Sequence, residues 1–199
     1  MSRRLDSKFY VNSLEDGLYQ NKKKTLLLVV DEQPKLMTTM ENGEKTIINT
    51  LSLVKAFKEY DMAYLATEQY PKGLGRSDDR LLEEIEEGKI FSKTLFDAAI
   101  DEVREFIEIE GIEKVLVTGA EGHICIYQTA RSFLDMGLDV FLVEDAISSF
   151  SEGLKLTAMG SLEKMGAVRV NTEMILFDLA RDAKDPHFKF ISALVKSAR

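Results

Sequence analysis

The segment VLVTGAEGHICIYQTARSFLDMG, residues 115–137, has the pattern of a strand, a tight turn and a helix. The β-branched run at residues 114–118 predicts a buried strand, and small residues follow it at 119–122. An amphipathic helix comes next and stops at Gly137. Its apolar face consists of Ile126, Ala130, Phe133 and Leu134. We expect this segment to be one strand–helix unit of a parallel α/β sheet.

Cys125 is the only cysteine of the chain, and it falls in the first turn of that helix. Free backbone N–H groups and the helix dipole at such a position favour a thiolate, so its pKa is expected below the usual value of about 8.5. Ligands of open parallel sheets also bind at the carboxyl ends of the strands. Cys125 is therefore a candidate nucleophile, although a lone cysteine is more often a small buried apolar residue.

Two charged residues follow other expected strands. Asp31 ends the apolar run TLLLVV at residues 25–30, and Lys93 follows a short strand at residues 90–91. Taken alone, Asp31 reads as a turn residue and Lys93 as a solvated lysine. Next to a thiol, Asp31 would serve as a general base, and Lys93 would favour the thiolate electrostatically. Asp97 is expected to begin or cap a helix that runs through Phe106.

Alternating strands and helices predict a three-layer α/β/α fold with a mostly parallel six-stranded sheet. The chain is expected to form one domain over residues 1–199, with an N-terminal arm at 1–23 and a C-terminal helix at 185–199. Asp185 and Pro186 would start that helix, whose apolar stripe packs either on the protein itself or on a second subunit. The strands are expected near residues 25–31, 62–67, 89–92, 114–118, 139–143 and 167–170.

The net charge of −8 argues against a nucleic-acid partner. No apolar run is long enough to span a membrane, and residues 1–10 lack the apolar core of a signal peptide. An unpaired cysteine fits a reducing compartment, so we expect a cytoplasmic protein.

Together, Asp31, Lys93 and Cys125 resemble the Asp–Lys–Cys triad of the isochorismatase-like superfamily of cysteine hydrolases. The resemblance is strongest to a metal-free subgroup, the isochorismatase domain-containing proteins. It covers the chain from about Thr25 onward. It rests on TEQYPKGLGR at residues 67–76, EGHICIYQTA at 121–130 and DPHFKFISALVK at 185–196.

The resemblance implies a cis peptide bond between Ala120 and Glu121. It also implies an oxyanion hole made of the backbone N–H groups of Glu121 and Cys125. Many members of the family have Thr or Ser where this chain has Gly122. A hydroxyl that would touch substrate or support the turn is therefore missing here.

Metal-binding relatives place an Asp and two or more His after their second strand. Gln69 and Pro71 stand at two of those positions, and the only histidines are His123 and His187. We therefore expect neither a metal nor another cofactor.

We expect a hydrolase that cleaves a C–N bond of a small amide or carbamoyl compound through a Cys125 thioester. The resemblance also implies a homo-oligomer, a dimer or larger. The alternative is a non-catalytic or redox-sensitive oligomeric interaction protein on the same fold. Weaker candidates for substrate contacts are Gln33, Glu68, Gln69, Tyr70, Phe96 and His123.

Overall fold

The structure, a computed structural model, describes residues 22–198. Of the expected N-terminal arm at residues 1–23, only the last two lie within this range. One sheet is formed by six strands, all near their expected positions. They are β1 (Thr25–Val30), β2 (Ala63–Gln69), β3 (Ile90–Lys93), β4 (Lys114–Ala120), β5 (Asp139–Ser148) and β6 (Val168–Val170).

The strands lie in the order β3-β2-β1-β4-β5-β6, and every pair is parallel. The chain therefore starts in the middle of the sheet, builds outward through β2 and β3, and then crosses back to β4. Such a crossover creates a switch point between β1 and β4, where ligands of open α/β sheets bind. This arrangement confirms the predicted fold class.

Nine helices and one 3₁₀ turn lie between or after the strands within residues 25–198. They are α1 (Pro34–Met37), α2 (Gly43–Glu59), α3 (Pro71–Leu74), α4 (Asp79–Glu84), the 3₁₀ turn Glu87–Lys89, α5 (Asp101–Glu110), α6 (Cys125–Asp135), α7 (Glu152–Met165), α8 (Thr172–Ala180) and α9 (Phe188–Ala198). None of the helices in this range is long and apolar enough to cross a bilayer.

Two apolar cores lie on opposite faces of the sheet, because successive strand residues point to opposite sides. Leu27 and Val29 of β1 pack with α2, α8 and α9. Leu26, Leu28 and Val30 pack with α5, α6 and α7. Both faces of β1 are covered, which explains its unbroken apolar sequence.

The turn before α6 depends on a glycine. Gly119 has a φ of 111°, and a Cβ atom there would lie 1.9 Å from the backbone oxygen of Val30. Only glycine lets β4 approach β1 this closely. As expected, Cys125 is the first residue of α6, and Gly137 follows its end with a φ of 83°.

The helix expected from Asp97 begins instead at Asp101. The carboxylate of Asp97 accepts hydrogen bonds from the backbone N–H of Ala99, at 2.8 Å, and from the hydroxyl of Ser132, at 2.5 Å. Asp97 thus fastens the loop after β3 to α6, and this tertiary contact takes it out of the helix.

The C-terminal helix begins at Phe188 rather than at Pro186. The side chain of Asp185 still accepts a hydrogen bond from the backbone N–H of His187, at 2.8 Å. The apolar stripe of α9 packs on α2 and α8 of the same chain. In α8, Met174 and Phe177 are exposed.

Candidate active site

The sheet topology brings the three candidate residues to one edge. Asp31 follows the central strand β1, Cys125 follows β4 after the tight turn, and Lys93 ends β3. The strand β2 lies between β1 and β3, so Lys93 must reach past its last residues to approach Asp31. Parallel strands place all these groups on the same side of the molecule.

Asp31 and Lys93 form a completely buried ion pair. The Lys93 ammonium donates to Oδ2 of Asp31 at 2.6 Å, and neither side chain is exposed to solvent. The hydroxyl of Thr67, on β2, donates to the other carboxylate oxygen at 2.8 Å. Asp31 has a φ of 56°, an unusual backbone conformation for this residue type and one that recurs at functional sites.

Lys93 also donates hydrogen bonds to groups other than Asp31. Its ammonium donates to Oε1 of Gln69 at 2.7 Å and to the backbone oxygens of Leu95 and Phe96 at 3.2 and 3.3 Å. The amide of Gln69 in turn donates to the backbone oxygen of Thr94 at 2.9 Å. Because a buried polar group is costly unless its protons are bound, these acceptors hold the Lys93 side chain in place beside Asp31.

Cys125 is buried, with 5% of its surface exposed. Burial raises the pKa of its thiol to about 12, and the charge of Asp31 and a side-chain hydrogen bond to Asp31 act in the same direction. Lys93 and a backbone hydrogen bond from Glu121 oppose this rise. The expectation of a lowered pKa at Cys125 is therefore wrong, because burial and the neighbouring carboxylate outweigh the cation and the helix N-terminus.

The Asp31 carboxyl has its pKa raised, mainly by burial, against the opposing effects of Lys93, Thr67 and Cys125. A neutral thiol thus lies next to a carboxylate that is more basic than an exposed one. Such a pair suits proton transfer from sulfur to oxygen during the reaction rather than a preformed thiolate.

The peptide bond between Ala120 and Glu121 is cis. Within residues 22–198, the backbone N–H groups of Glu121 and Cys125 donate to no other backbone group. The neighbouring Gly122 N–H, in contrast, donates to the backbone oxygen of Ser148 at 2.8 Å. The Glu121 N–H instead faces the Cys125 sulfur, so both donors lie beside the nucleophile.

Three weaker candidates have supporting roles. The Gln33 amide donates to the backbone oxygens of Gln69 and Gly75, at 3.0 and 2.6 Å, and accepts from the Gln69 N–H at 2.8 Å. Glu68 is buried and accepts from Arg76 and Ser77. Gln69 is bound to Lys93. Gln33, Glu68 and Gln69 thus make hydrogen bonds within the protein, and a contact of any of them with substrate stays a prediction.

Tyr70 and Phe96 lie at the surface around Lys93, with 53% and 51% of their surfaces exposed. Tyr70 lines a cavity of about 400 Å³ that also reaches Lys93. Phe96 contributes its backbone oxygen to Lys93. The remaining candidate, His123, is half-buried and lines a separate cavity of about 280 Å³ beside α6.

Sequence reasoning missed Thr129, which is fully buried on α6. Its hydroxyl donates to the backbone oxygen of Cys125 at 2.7 Å and accepts from the backbone N–H of Ala98 at 2.8 Å. It thereby joins the first turn of α6 to the loop whose carbonyls hold Lys93. Its spacing of four residues from Cys125, one helical turn, was the available signal.

Gln69 and Pro71 stand at positions where metal-binding relatives have their metal ligands. Gln69 binds Lys93, and the side chain of Pro71 has no donor atom. Across residues 22–198, no three His, Cys, Asp or Glu side chains are grouped so that they could hold a metal ion.

Comparison with known proteins identifies the family. The isochorismatase domain model matches residues 25–174. Isochorismatase family protein 1A of Dictyostelium discoideum is 34% identical and aligns over 88% of this chain and 87% of its own length. Isochorismatase domain-containing protein 2 of Danio rerio is 34% identical over 87% of both chains. The structure of the MAR1 ribonuclease of Caenorhabditis elegans superposes with a TM-score of 0.84 at 30% identity, over 89% of this chain and 93% of that one. The chain therefore belongs to the isochorismatase family of hydrolases.

Proposed function

We propose that this hydrolase cleaves a C–N bond, other than a peptide bond, in a small amide or carbamoyl compound, with Asp31, Lys93 and Cys125 as its catalytic triad. The observation that carries the proposal is the buried thiol of Cys125 beside Asp31, whose carboxylate pairs with Lys93 at 2.6 Å. A nucleophile, a base and a group that orients the base are thus adjacent.

In the first half of the reaction, the Cys125 sulfur attacks the carbonyl carbon while its proton passes to Asp31. The N–H groups of Glu121 and Cys125 hold the resulting oxyanion, and one such donor typically contributes about 3–4 kcal/mol to the transition state. Asp31 then gives the proton to the amine nitrogen as the C–N bond breaks. The acyl group remains on Cys125 as a thioester.

In the second half, water attacks the thioester carbon and Asp31 takes a proton from that water. The second tetrahedral intermediate collapses, the C–S bond breaks, and the proton returns to sulfur as the acid leaves. Asp31 thus acts as base and acid in the first half and as base and acid again in the second, which suits a carboxyl whose pKa burial raises.

Lys93 keeps Asp31 oriented and counters part of the negative charge that develops on sulfur. Its charge lowers the pKa of Cys125 without outweighing burial. Since backbone N–H groups stabilise the oxyanion, we propose that the reaction needs no metal or other cofactor. If activity survives EDTA treatment, this proposal is supported. If EDTA abolishes activity and added zinc or manganese restores it, the proposal is contradicted.

The name of the Caenorhabditis elegans neighbour raises RNA as another substrate. Two features of this chain disfavour it. The net charge is −8, which repels a polyanion, and the charge of Lys93 is already neutralised by Asp31. A structured and a single-stranded RNA therefore belong in the substrate panel as competing outcomes.

We also propose a cytoplasmic homo-oligomer, a dimer or larger. The chain itself covers the apolar stripe of α9, so this stripe does not support the formation of an oligomer. The exposed Met174 and Phe177 of α8 lie next to it and supply apolar surface instead. Light scattering should give more than the chain mass of 22.5 kDa, and a monomer at micromolar concentration would contradict the proposal.

The test of the enzyme function is a panel of small amides, carbamoyl compounds and ureides, assayed for release of ammonia or amine. Turnover should be lost in Cys125→Ala and Asp31→Asn and kept in Lys189→Ala, a control far along the chain in α9. If no compound turns over, or if Cys125→Ala keeps full activity, the alternative of a non-catalytic or redox-sensitive interaction protein gains support.

A further inference from the structure

Glu32 is a buried carboxyl that the proposed reaction does not use. It follows Asp31 directly and is completely buried. Its Oε1 accepts a hydrogen bond from the hydroxyl of Thr50, on α2, at 2.5 Å. Its Oε2 is also buried and has no hydrogen-bond partner among residues 22–198. Because an ionised carboxylate needs partners for both oxygens, this environment favours a neutral carboxyl over a charged one.

The charged groups around Glu32 do not compensate a negative charge on it. Arg80 and Asp78, at the start of α4, act on Glu32 in opposite directions. The Arg80 guanidinium is also bound to Asp78 at 2.8 Å and to Glu44, on α2, at 2.6 Å. On the β1 side the neighbour is another carboxyl, that of Asp31, which is already paired with a lysine. Burial therefore prevails and raises the pKa of Glu32 to about 8.

The backbone of Glu32 belongs to the turn that presents Asp31. The backbone oxygen of Glu32 accepts from the N–H of Asp78 at 2.9 Å, and the N–H of Gln33 donates to the backbone oxygen of Asp31 at 2.9 Å. Asp31 has a φ of 56°, and such an uncommon conformation persists only where the surroundings enforce it. Glu32 constrains this turn twice, through its side chain to α2 and through its backbone to the start of α4.

From these contacts we infer that Glu32 is a positioning residue for Asp31 and that it acts in its protonated form. The neutral carboxyl, bound to Thr50, keeps the end of β1 against α2, and the turn then holds the Asp31 carboxyl beside Cys125. When Glu32 loses its proton, the charged side chain leaves the pocket toward solvent and the turn moves with it. This inference rests on the proposed function, because it takes Asp31 as the base.

Infrared spectra of the intact protein test the protonation state of Glu32. The C=O stretching band of a protonated carboxyl should be stronger in wild type than in Glu32→Gln at pH 7. This difference should disappear as the pH rises, with a midpoint near pH 8. Wild-type and Glu32→Gln proteins with the same band at pH 7 would overturn the inference.

The pH dependence of thioester hydrolysis tests the link to Asp31. Each protein is acetylated on Cys125 with p-nitrophenyl acetate, and intact mass follows the loss of the acetyl group from about pH 6.5 to about pH 9.5. The rates of wild type and Glu32→Gln, whose amide stays neutral, should agree within about twofold at pH 7. Near pH 9.5 wild type should be at least about tenfold slower, because the protonated fraction of Glu32 falls about tenfold per pH unit above its pKa.

Two variants separate positioning from a merely structural role. Glu105→Gln, at an exposed position of α5, should keep the wild-type pH profile. Glu32→Ala, which removes the contact with Thr50, should slow hydrolysis of the thioester at every pH. Thermal unfolding shows whether this variant folds, and Glu32→Gln carries the test if it does not.

The results for Asp31→Asn separate failure of the inference from failure of the proposed function. If this variant hydrolyses acetyl-Cys125 slowly, but wild type and Glu32→Gln share one pH profile, the inference is overturned and the proposed function stands. If no acetyl-Cys125 forms, or if Asp31→Asn hydrolyses it as fast as wild type, the proposed function fails and the inference fails with it.

Discussion

The ionisation of the Cys125 thiol can be measured directly. A pKa of about 12 in place of 9.0 makes the thiolate about a thousandfold scarcer at neutral pH. As the chain has a single cysteine, ultraviolet absorbance at pH values below the usual titration range of tyrosine reads the thiolate of this one group without a reagent that must reach it. Titration of the wild-type protein should show no thiolate inflection below about pH 10.

Asp31→Asn tests the cause of this rise. It removes a negative charge beside the thiol and leaves the positive charge of Lys93. At an effective dielectric constant of about 20, a unit charge about 4 Å away contributes about 4 kcal/mol, or about three pKa units. The pKa of Cys125 in this variant should therefore fall toward that of a free thiol or below it, although amide hydrolysis is lost.

The double variant Asp31→Asn, Lys93→Met is the matched control, because it removes both charges and retains burial. Its thiol should keep a raised pKa. The single variant leaves a buried lysine unpaired, which can cost about 3–5 kcal/mol of stability, so each protein is checked by thermal unfolding. A wild-type inflection below pH 9, or a pKa of Cys125 that Asp31→Asn leaves unchanged or raises, would refute the reasoning.

Three further predictions concern stability and positioning. Burial raises the pKa of Glu32 from 4.5 to about 8. Between these two pH values the folded state keeps a proton on Glu32 that the unfolded chain releases. The free energy of unfolding should therefore fall by about 1.4 kcal/mol for each pH unit between them. Urea unfolding at several pH values should show the slope in wild type and not in Glu32→Gln. Thr129→Val should lose about 1–3 kcal/mol of stability and most amide turnover, whereas Thr129→Ser should keep both. Gly122→Ala should lower the melting temperature by crowding Ser149, and adding Ser149→Ala should restore part of it; an undisturbed Gly122→Ala protein would contradict this packing.

Much of the site follows from the order of strands along the chain. Asp31, Lys93 and Cys125 each come just after an apolar run, and parallel strands bring such positions to one edge of a sheet. Local pattern was sufficient for these residues.

Other features depend on tertiary contacts that no local pattern encodes. The position of β2 between β1 and β3 makes Gln69 a partner of Lys93 and turns Gln33 inward. The pKa of Cys125 depends on how much solvent the folded chain removes, which outweighs the favourable helix N-terminus. The strand β5 extends through Ser148 because its last residues pair with β4 after a register shift.

The most direct test of the account is to look for the thioester itself. The protein is mixed with p-nitrophenyl acetate, an activated acyl donor that needs no matched pocket, and intact mass and peptide mapping follow the acetyl group over time. Wild type should carry at most one rapidly hydrolysed acetyl group, on Cys125, and Cys125→Ala should carry none there. Asp31→Asn should accumulate a persistent acetyl-Cys125, because the base that activates water is gone. Acetylation of other residues alone, or equally fast hydrolysis of acetyl-Cys125 in Asp31→Asn, would contradict Cys125 as nucleophile or Asp31 as its base.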